Sequence, residues 1–176
     1  QAALHQEVRI NSSDPVNVPG EILTKGPNVL LGYYKNEEDT GQTIDKDGWF
    51  HTGDLGLMDE DGNVFIKGRS KNMLLGSNGQ NIYPEEIEDK LNSLPLVSEC
   101  LVIQSGEKLI ALVHPDYDEA QNLGLNADDL KNIMEENRTQ LNTIVPAYCK
   151  VAEIRIQEEE FEKTPKKSIK RFLYTE

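Results

Sequence analysis

The stretch “LGLMDEDGNVFIKGR”, residues Leu55–Arg69, has the pattern of a β-hairpin. Its two runs, “LGLM” and “NVFIK”, flank “DEDG”, in which Gly62 is placed to close a tight turn. Residues just outside two antiparallel strands meet at the open end of their hairpin. The pattern therefore predicts that Asp54 lies beside Arg69 and the glycine that precedes it.

A carboxylate and a guanidinium at one place can bind a nucleotide. An ionised Asp54 can accept two hydrogen bonds from a vicinal diol, which is how acidic residues hold ribose. Arg69 can donate to ribose or phosphate oxygens. The alternative is a surface salt bridge, which contributes little to stability. The spacing alone favours the salt bridge.

The chain changes character near residue 70. Before it, short alternating runs such as “EVRI” and “GEILTKG” are bounded by Gly, Pro and Asn and predict strands. After it, helical signals appear: Pro84 suits a first helical position, and Asn126 can cap a later helix. A second hairpin is predicted in “ECLVIQSGEKLIALV”. We therefore expect an α+β fold, with an all-β region over 1–69 and a small α+β unit over 70–176.

Composition and charge limit the possible functions. The 176 residues are 37% hydrophobic and 28% charged, which is typical of a globular protein, and the longest apolar runs are strand-sized. A net charge of −13 would repel a nucleic acid over most of the surface. Cys100 and Cys149 are too few for a disulfide framework, and the three histidines share no metal-ligand spacing. We expect reduced thiols, a cytoplasmic location, no nucleic-acid partner and no metal site in these residues.

One basic run stands out from this acidic chain. The segment “KTPKKSIKR”, Lys163–Arg171, contains four lysines and an arginine without an acidic residue. A nucleic-acid-binding tail is disfavoured because four glutamates stand directly before the run, at Glu158, Glu159, Glu160 and Glu162. A solvated basic tail and a site for a smaller anion both stay open.

Four segments, taken in order, resemble the core motifs of the adenylate-forming superfamily of acyl-CoA synthetases, peptide-synthetase adenylation domains and luciferases. “GEILTKGPNVLLGYY” resembles the sixth motif, “GWFHTGD” the seventh, “GRSKNMLLGSNGQNIYPEEIE” the eighth and “KTPKKSIKR” the last. The wording of “SNGQNIYPEEIE” and “IKRFLY” is most similar to long-chain fatty acid CoA ligases. From the start of the first to the end of the last, the four motifs span residues 20–171, which is nearly the whole chain.

The resemblance implies roles for individual residues. Asp54 and Arg69 fall on nucleotide-binding positions, and Lys71 falls on the interdomain hinge. Gly79 falls where the pantetheine arm of CoA passes close to the backbone. Residues 1–69 would then be the last, β-barrel-like subdomain of a large adenylation domain, and residues 70–176 the mobile C-terminal lid domain.

The resemblance also implies a two-step reaction. A carboxylic acid, here a fatty acid, attacks the α-phosphate of ATP to give an acyl-adenylate and pyrophosphate, and the CoA thiol then displaces AMP. Mg²⁺ would assist, with most of its ligands in a missing N-terminal domain. Because the chain starts with “QAALHQEVRI”, without Met, we expect an excised piece of a longer chain. The resemblance also implies that this piece is inactive alone, because the phosphate loop of the family's large domain does not occur in it.

Other acceptors and roles stay open. The acyl group could pass to an acyl carrier protein, since both thiols arrive on a pantetheine arm. The chain could also be a non-catalytic interaction module. Contact with a membrane surface is possible through the substrate. The pocket that would select the acyl chain length lies outside these residues.

The last motif departs from the family pattern Thr-Pro-x-Gly-Lys-x-x-Arg. Placed without gaps, the glycine position holds Lys167, the lysine position holds Ser168, and Arg171 still matches. A serine cannot supply the catalytic cation. In an extended segment Lys170 would project to the same side as Ser168, whereas a loop could present Lys167. The catalytic residue is therefore open between Lys167 and Lys170.

Overall fold

The computed structural model describes residues 5–175. The chain forms two compact units, Gln1–Met73 and Leu74–Glu176. Their boundary lies close to the expected change of character at residue 70. The assignment of the first unit to a larger domain and of the second to a mobile lid stays a prediction.

The first unit is built on an antiparallel sheet. Its strands are β1 (Glu7–Asn11), β2 (Gly20–Lys25), β3 (Phe50–Met58) and β4 (Val64–Arg69), and helix α1 (Glu37–Thr43) lies between β2 and β3 in the chain. The expectation of an all-β region over 1–69 is therefore wrong at α1, which Asn36 caps by accepting a hydrogen bond from the Asp39 N–H. The strand order is β1-β2-β3-β4, so each strand pairs with its neighbours in sequence. β1 and β4 form the two edges, and within the described residues the sheet is open. The expected β-barrel-like subdomain is therefore corrected to an open sheet, because no ladder joins β1 to β4.

The β3–β4 hairpin has the predicted turn and register. Asp59 closes the turn, since its Oδ1 accepts hydrogen bonds from the backbone N–H groups of Asn63 at 2.8 Å and Asp61 at 3.1 Å. Gly62 has φ +77°, a left-handed conformation that favours glycine. At the open end the ladder pairs Asp54 with Arg69. The hairpin prediction is confirmed.

The second unit combines helices with a mixed sheet. Its strands and helices are the small hairpin β5 (Leu74–Leu75) and β6 (Asn81–Ile82), α2 (Pro84–Leu91), β7 (Val97–Ser105), β8 (Lys108–Pro115), α3 (Tyr117–Asn122), α4 (Ala127–Ile144) and β9 (Val151–Ile156). The main sheet has the order β7-β8-β9, with β7 antiparallel and β9 parallel to β8. The α+β prediction is confirmed. Of the helices described between residues 5 and 175, none is both long and apolar enough to cross a membrane.

The main sheet of the second unit is buried on both faces. Alternate residues of β7 and β8 pack with α2 and α4 in the larger core, which includes both cysteines; its fully buried members include Leu91, Ala111, Val113 and Leu141. The cysteines are free thiols, as expected. On the opposite face, Leu101, Ile103 and Ile110 pack against Phe161. The C-terminal segment thus covers the face that the helices leave, which places the basic run against this sheet.

Two glycines of the first unit give a matched test of the sheet geometry. A Cβ at Gly20 would lie 2.3 Å from the Asn11 carbonyl oxygen, whereas a Cβ at Gly41, within α1, would meet no atom within 4 Å. We expect Gly20→Ala to lower the free energy of unfolding by about 1–3 kcal/mol through forced backbone shifts. Gly41→Ala should raise it by up to about 1 kcal/mol because alanine favours the helix. Urea unfolding followed by the fluorescence of Trp49, the single tryptophan, measures both; equal effects would contradict the strand packing.

Candidate functional site

The structure brings Asp54 and Arg69 together at the end of β3 and β4. Nη1 of Arg69 donates a hydrogen bond of 2.6 Å to Oδ1 of Asp54 and a longer one of 3.2 Å to the Thr52 carbonyl oxygen. The Asp54 side chain is 33% exposed and the Arg69 side chain is 47% exposed. The pair is therefore fixed in orientation and still reachable by a ligand from solvent. Its role in nucleotide binding stays a prediction.

The turn before Asp54 is held by a carboxylate from the neighbouring strand. Oε1 of Glu21, in β2, accepts a hydrogen bond of 3.0 Å from the Gly53 N–H, and Oε2 lies 2.8 Å from Nδ1 of His51. The hydroxyl of Thr52 accepts from the Asp54 N–H at 3.0 Å. Gly53 has φ +71°, which a side chain would strain. Glu21 and the “HTG” residues thus determine where Asp54 points.

A second acidic residue lies on the other side of the histidine ring. Oδ2 of Asp45 is 3.8 Å from Nε2 of His51. The backbone N–H of Trp49 donates to Asp45, and this hydrogen bond lowers the pKa of Asp45 below its usual range. The sequence prediction missed His51, Glu21 and Asp45 as supports of the site. The available signal for Glu21 and His51 was their position inside the sixth and seventh motifs, whereas Asp45 lies between those motifs.

Lys71, the predicted hinge residue, lies in a short 3₁₀ turn at the end of the first unit. The turn, Ser70–Asn72, follows β4 directly, and the Met73 N–H donates to the Ser70 carbonyl oxygen at 3.3 Å. The second unit begins at the next residue. The position suits a hinge, but the role stays a prediction.

Gly79, the predicted CoA-binding residue, lies in the tight loop between β5 and β6. It has φ +73°, and its N–H donates to the Gly76 carbonyl oxygen at 2.9 Å. A Cβ at this position would meet no atom within 4 Å. The backbone conformation therefore favours glycine here, and no atom of the described residues fills the space where a Cβ would lie.

A cavity of about 480 Å³ lies beside this loop. The loop residues on either side of Gly79 form one wall, and Gln104, Tyr148 and Lys150 are among the other lining residues. The lining also contains Glu107, so the cavity combines opposite charges with hydrogen-bonding groups. Such a mixed lining suits a polar ligand more than an apolar one.

The basic run folds as a tight turn. The Thr164 N–H donates to the Ser168 carbonyl oxygen, and the Lys167 N–H donates to the Thr164 carbonyl oxygen, both at 2.8 Å. Lys167 has φ +62°, the left-handed conformation that favours glycine. The backbone thus agrees with the ungapped placement that puts Lys167 at the glycine position. Residues 164–168 turn back on themselves and Ile169 forms an antiparallel bridge with Lys163, so the run is not extended over its whole length. The choice between Lys167 and Lys170 as the catalytic residue stays a prediction.

Three of the five cations in the run have carboxylate partners. These pairs are Lys163 with Glu99 at 2.6 Å, Lys170 with Glu162 at 3.0 Å, and Arg171 with Glu88. The hydrogen bond to Glu99 raises the pKa of Lys163. Lys166 and Lys167 are exposed, and among residues 5–175 no carboxylate lies within ion-pair distance of either. The available positive charge is therefore at the tip of the turn.

The family resemblance implies Mg²⁺, and the described side chains do not form a site for it. Between residues 5 and 175, no three His, Cys, Asp or Glu side chains are grouped so that they could hold a metal ion. Asp54 is committed to Arg69. The described residues therefore do not form a Mg²⁺ site by themselves.

Comparisons with known proteins identify the family of the chain. Residues 71–176 match the family described as “AMP-binding enzyme C-terminal domain”. The chain is similar to a probable acyl-activating enzyme 9 of Arabidopsis thaliana, with 38% identity over 165 residues, 91% of this chain and 28% of that protein. It is also similar to a 2-succinylbenzoate–CoA ligase of Bacillus cytotoxicus, with 48% identity over 94 residues, 53% of this chain and 19% of that protein. The chain thus spans less than a third of the length of these relatives.

The fold is similar to that of a solved adenylation domain. This is the adenylation domain of the carboxylate reductase from Mycobacterium chelonae, with a TM-score of 0.81 and 21% identity. The match covers 95% of this chain and 29% of that one. At this identity the likeness shows the fold alone.

The left-handed backbone of Lys167 can be tested by stability. Lys167→Gly should leave the free energy of unfolding unchanged or raise it by up to about 1 kcal/mol, because glycine adopts φ +62° without strain. Lys166→Gly, at an exposed neighbour without positive φ, should lower it by about 0.5–1 kcal/mol through the entropy of the unfolded chain. Urea unfolding followed by circular dichroism compares them. A larger loss for Lys167→Gly would contradict the turn geometry.

Proposed function

Because the chain belongs to the AMP-binding enzyme C-terminal domain family, we propose that it forms the C-terminal part of an ATP-dependent, AMP-forming acyl–CoA ligase. The observation that carries the proposal is the Asp54–Arg69 pair, a carboxylate and a guanidinium held together and open to solvent. A large N-terminal domain of the same polypeptide is the proposed partner, in keeping with the small share of its relatives that the chain spans.

Asp54 binds the ribose of ATP and AMP in this proposal. Its carboxylate can accept hydrogen bonds from both ribose hydroxyls, while the bond from Arg69 keeps it oriented. Arg69 also adds positive charge where the nucleotide phosphates begin. Lys71, directly after this site, is the proposed hinge on which the second unit changes its position between the two half-reactions.

Lys167 supplies the cation of the first half-reaction in this proposal. A substrate carboxylate oxygen attacks the α-phosphorus of ATP; the bond to the bridging oxygen breaks, and pyrophosphate leaves with that electron pair. Both reactants are anions, so a positive charge near the reacting oxygens lowers the barrier. Lys167 is supported by its exposed place at the tip of the turn, whereas the Lys170 ammonium already pairs with Glu162. Bound Mg²⁺ would screen the phosphate charge further.

The second half-reaction uses the loop around Gly79. The CoA thiol attacks the acyl carbon and AMP leaves from it. The open space at Gly79 supports passage of the pantetheine arm, and the adjoining cavity with Lys150 supports binding of the phosphate-bearing end of CoA. An acyl carrier protein presents the same arm, so thioester assays with both acceptors separate the two.

The acyl substrate is proposed to be a long-chain fatty acid, which rests on the likeness of “SNGQNIYPEEIE” and “IKRFLY” to long-chain ligases. The Bacillus cytotoxicus relative is, by its name, a ligase for 2-succinylbenzoate, so an aromatic acid is the competing class. A cytoplasmic location, with contact to membranes through the fatty acid, accompanies the first proposal. Ser168 at the lysine position favours the remaining alternative, a non-catalytic interaction module.

Pyrophosphate exchange tests the function and the ribose site together. Full-length protein should incorporate labelled pyrophosphate into ATP in the presence of palmitate more than of 2-succinylbenzoate. Asp54→Asn should raise the KM for ATP by about tenfold or more, because hydrogen bonds to a charged acceptor are lost. Asp61→Asn, in the turn of the same hairpin, is the control and should leave the KM within about twofold. No exchange with either acid would contradict the ligase proposal, and exchange by Asp54→Asn at the normal KM would contradict the ribose site.

Separate half-reactions identify the catalytic lysine. In the full-length enzyme, Lys167→Ala should slow acyl-adenylate formation by at least about tenfold, roughly 1.4 kcal/mol of barrier. Lys170→Ala should slow it less, because its charge is already offset by Glu162. Neither substitution should slow thioester formation from preformed acyl-adenylate. A greater effect of Lys170→Ala would reverse the assignment, and no effect of either would support the non-catalytic alternative.

A further inference from the structure

The second unit contains one buried carboxylate that the proposed reaction does not use. Among the described residues, Glu88 and Asn137 are the buried polar side chains, and Glu88 is 7% exposed. It lies in α2, a helix that otherwise buries apolar side chains. A carboxylate in such a place costs free energy unless it is paired and hydrogen-bonded, so its partners indicate what it is for.

Glu88 and Arg171 together bind the backbone of one residue on an edge strand. Oε1 of Glu88 accepts a hydrogen bond of 2.6 Å from the Val102 N–H, and Nη1 of Arg171 lies 3.5 Å from the Val102 carbonyl oxygen. The other Glu88 oxygen accepts from Nη2 of Arg171. Because β7 is an edge of its sheet, these outward peptide groups have no neighbouring strand to bind. The ion pair satisfies them instead.

This arrangement connects three parts of the unit. Glu88 comes from α2, Val102 from β7, and Arg171 from the residue that ends the basic run. Glu85, one helical turn before Glu88, adds a carboxylate oxygen 3.9 Å from Arg171. We call Glu88, Val102 and Arg171 the edge clamp.

The edge clamp holds one end of the turn that carries Lys167. The other end is held through Lys163, whose ammonium pairs with Glu99 of the same strand β7. Lys163 and Ile169 form a single antiparallel bridge across the base of the turn. Release of Arg171 would remove the charged contact that ties this end of the turn to α2 and β7, while Ile169 would still pack against the sheet. The exposed Lys167 would then sample more positions.

We propose that Glu88 is a positioning residue for acyl-adenylate formation, acting through Arg171 to hold the Lys167 turn at a fixed place on β7. The inference rests on the proposed function for its catalytic readout. Glu88 touches no substrate. Its removal acts on the half-reaction that needs the cation, because a misplaced catalytic group loses the advantage of proximity. Thioester formation from preformed acyl-adenylate does not need the turn.

The test compares both half-reactions in the full-length enzyme. Glu88→Gln should slow acyl-adenylate formation by about tenfold or more, mainly in kcat, and change thioester formation by less than about threefold. Arg171→Lys, which keeps the charge, should retain more adenylation than Arg171→Gln. Asp89→Asn, an exposed neighbour in α2, is the matched control and should change neither step by more than about twofold. Unchanged adenylation in the Glu88 and Arg171 variants overturns the proposal.

Hydrogen–deuterium exchange supplies a readout that does not depend on activity. Peptides covering 163–170 should exchange faster in Glu88→Gln and Arg171→Gln, while peptides from α4 should be unchanged. Faster exchange in both regions, or an equal loss of both half-reactions, means that the pair only stabilises the fold and overturns the proposal. If Glu88→Gln does not fold, Arg171→Lys gives the same comparison. If the wild-type enzyme shows no pyrophosphate exchange, the proposed function is refuted instead. Normal protection of residues 163–170 from hydrogen exchange in the variants then refutes the positioning role of the edge clamp.

Discussion

The buried contact between Glu88 and Arg171 is the interaction on which the organisation of the second unit depends. Burial raises the pKa of Glu88 even though Arg171 lies against it, which means that the loss of hydration outweighs the attraction between the charges. A buried pair of this kind is weak evidence for stability, and an apolar pair of similar volume would often stabilise as well. What an apolar pair cannot do is bind the outward peptide of Val102. The pair therefore specifies where the C-terminal segment joins the sheet. It thereby also fixes the position of the basic run Lys163–Arg171 on that sheet.

The first unit uses the same principle at an exposed site. Glu21 accepts hydrogen bonds from the turn that precedes Asp54, and Arg69 donates to Asp54 itself. Each carboxylate is thereby oriented before any ligand arrives, which lowers the entropic cost of binding. The partly exposed Asp54 is available to a ligand, whereas Glu21 is occupied by its backbone and histidine partners. A supporting carboxylate and a solvent-accessible carboxylate thus lie on neighbouring strands.

Features that depend on residues near in sequence were predictable. The β3–β4 register follows from the turn at Asp59 and Gly62, and so the contact between Asp54 and Arg69 could be derived before the structure. The α+β class also followed from local patterns. The open sheet was not predictable, because closure depends on whether β1 meets β4, and no local signal reports that pairing.

Contacts between residues that are distant in the chain could not be predicted from the sequence. Arg171 and Glu88 are 83 residues apart, and Gly53 and Glu21 are 32 apart. Neither glutamate differs in local pattern from its many exposed counterparts in an acidic chain. Their roles arise only when the strands and the C-terminal segment are assembled, because burial and an unpaired edge strand create the need for a carboxylate. Glu21 and Glu88 do lie inside family motifs, but their place in a motif does not indicate which residue each of them would hold in position.

Under the proposed assignment of Lys167 as the catalytic cation, the turn accounts for the departure from the family pattern. The glycine position requires a left-handed backbone, and Lys167 adopts it at a cost of about 1–2 kcal/mol. In return, the turn carries an ammonium group at its tip, one residue before the position that holds Ser168. A lysine side chain is long and flexible, so a shift of one residue in its point of attachment can be offset by rotamer changes. The position of the turn then matters more, because a lysine attached one residue away has fewer rotamers that bring its ammonium group to the required place. A rigid attachment of both ends of the turn to β7, through Glu99 and the edge clamp, is what such a displaced cation needs.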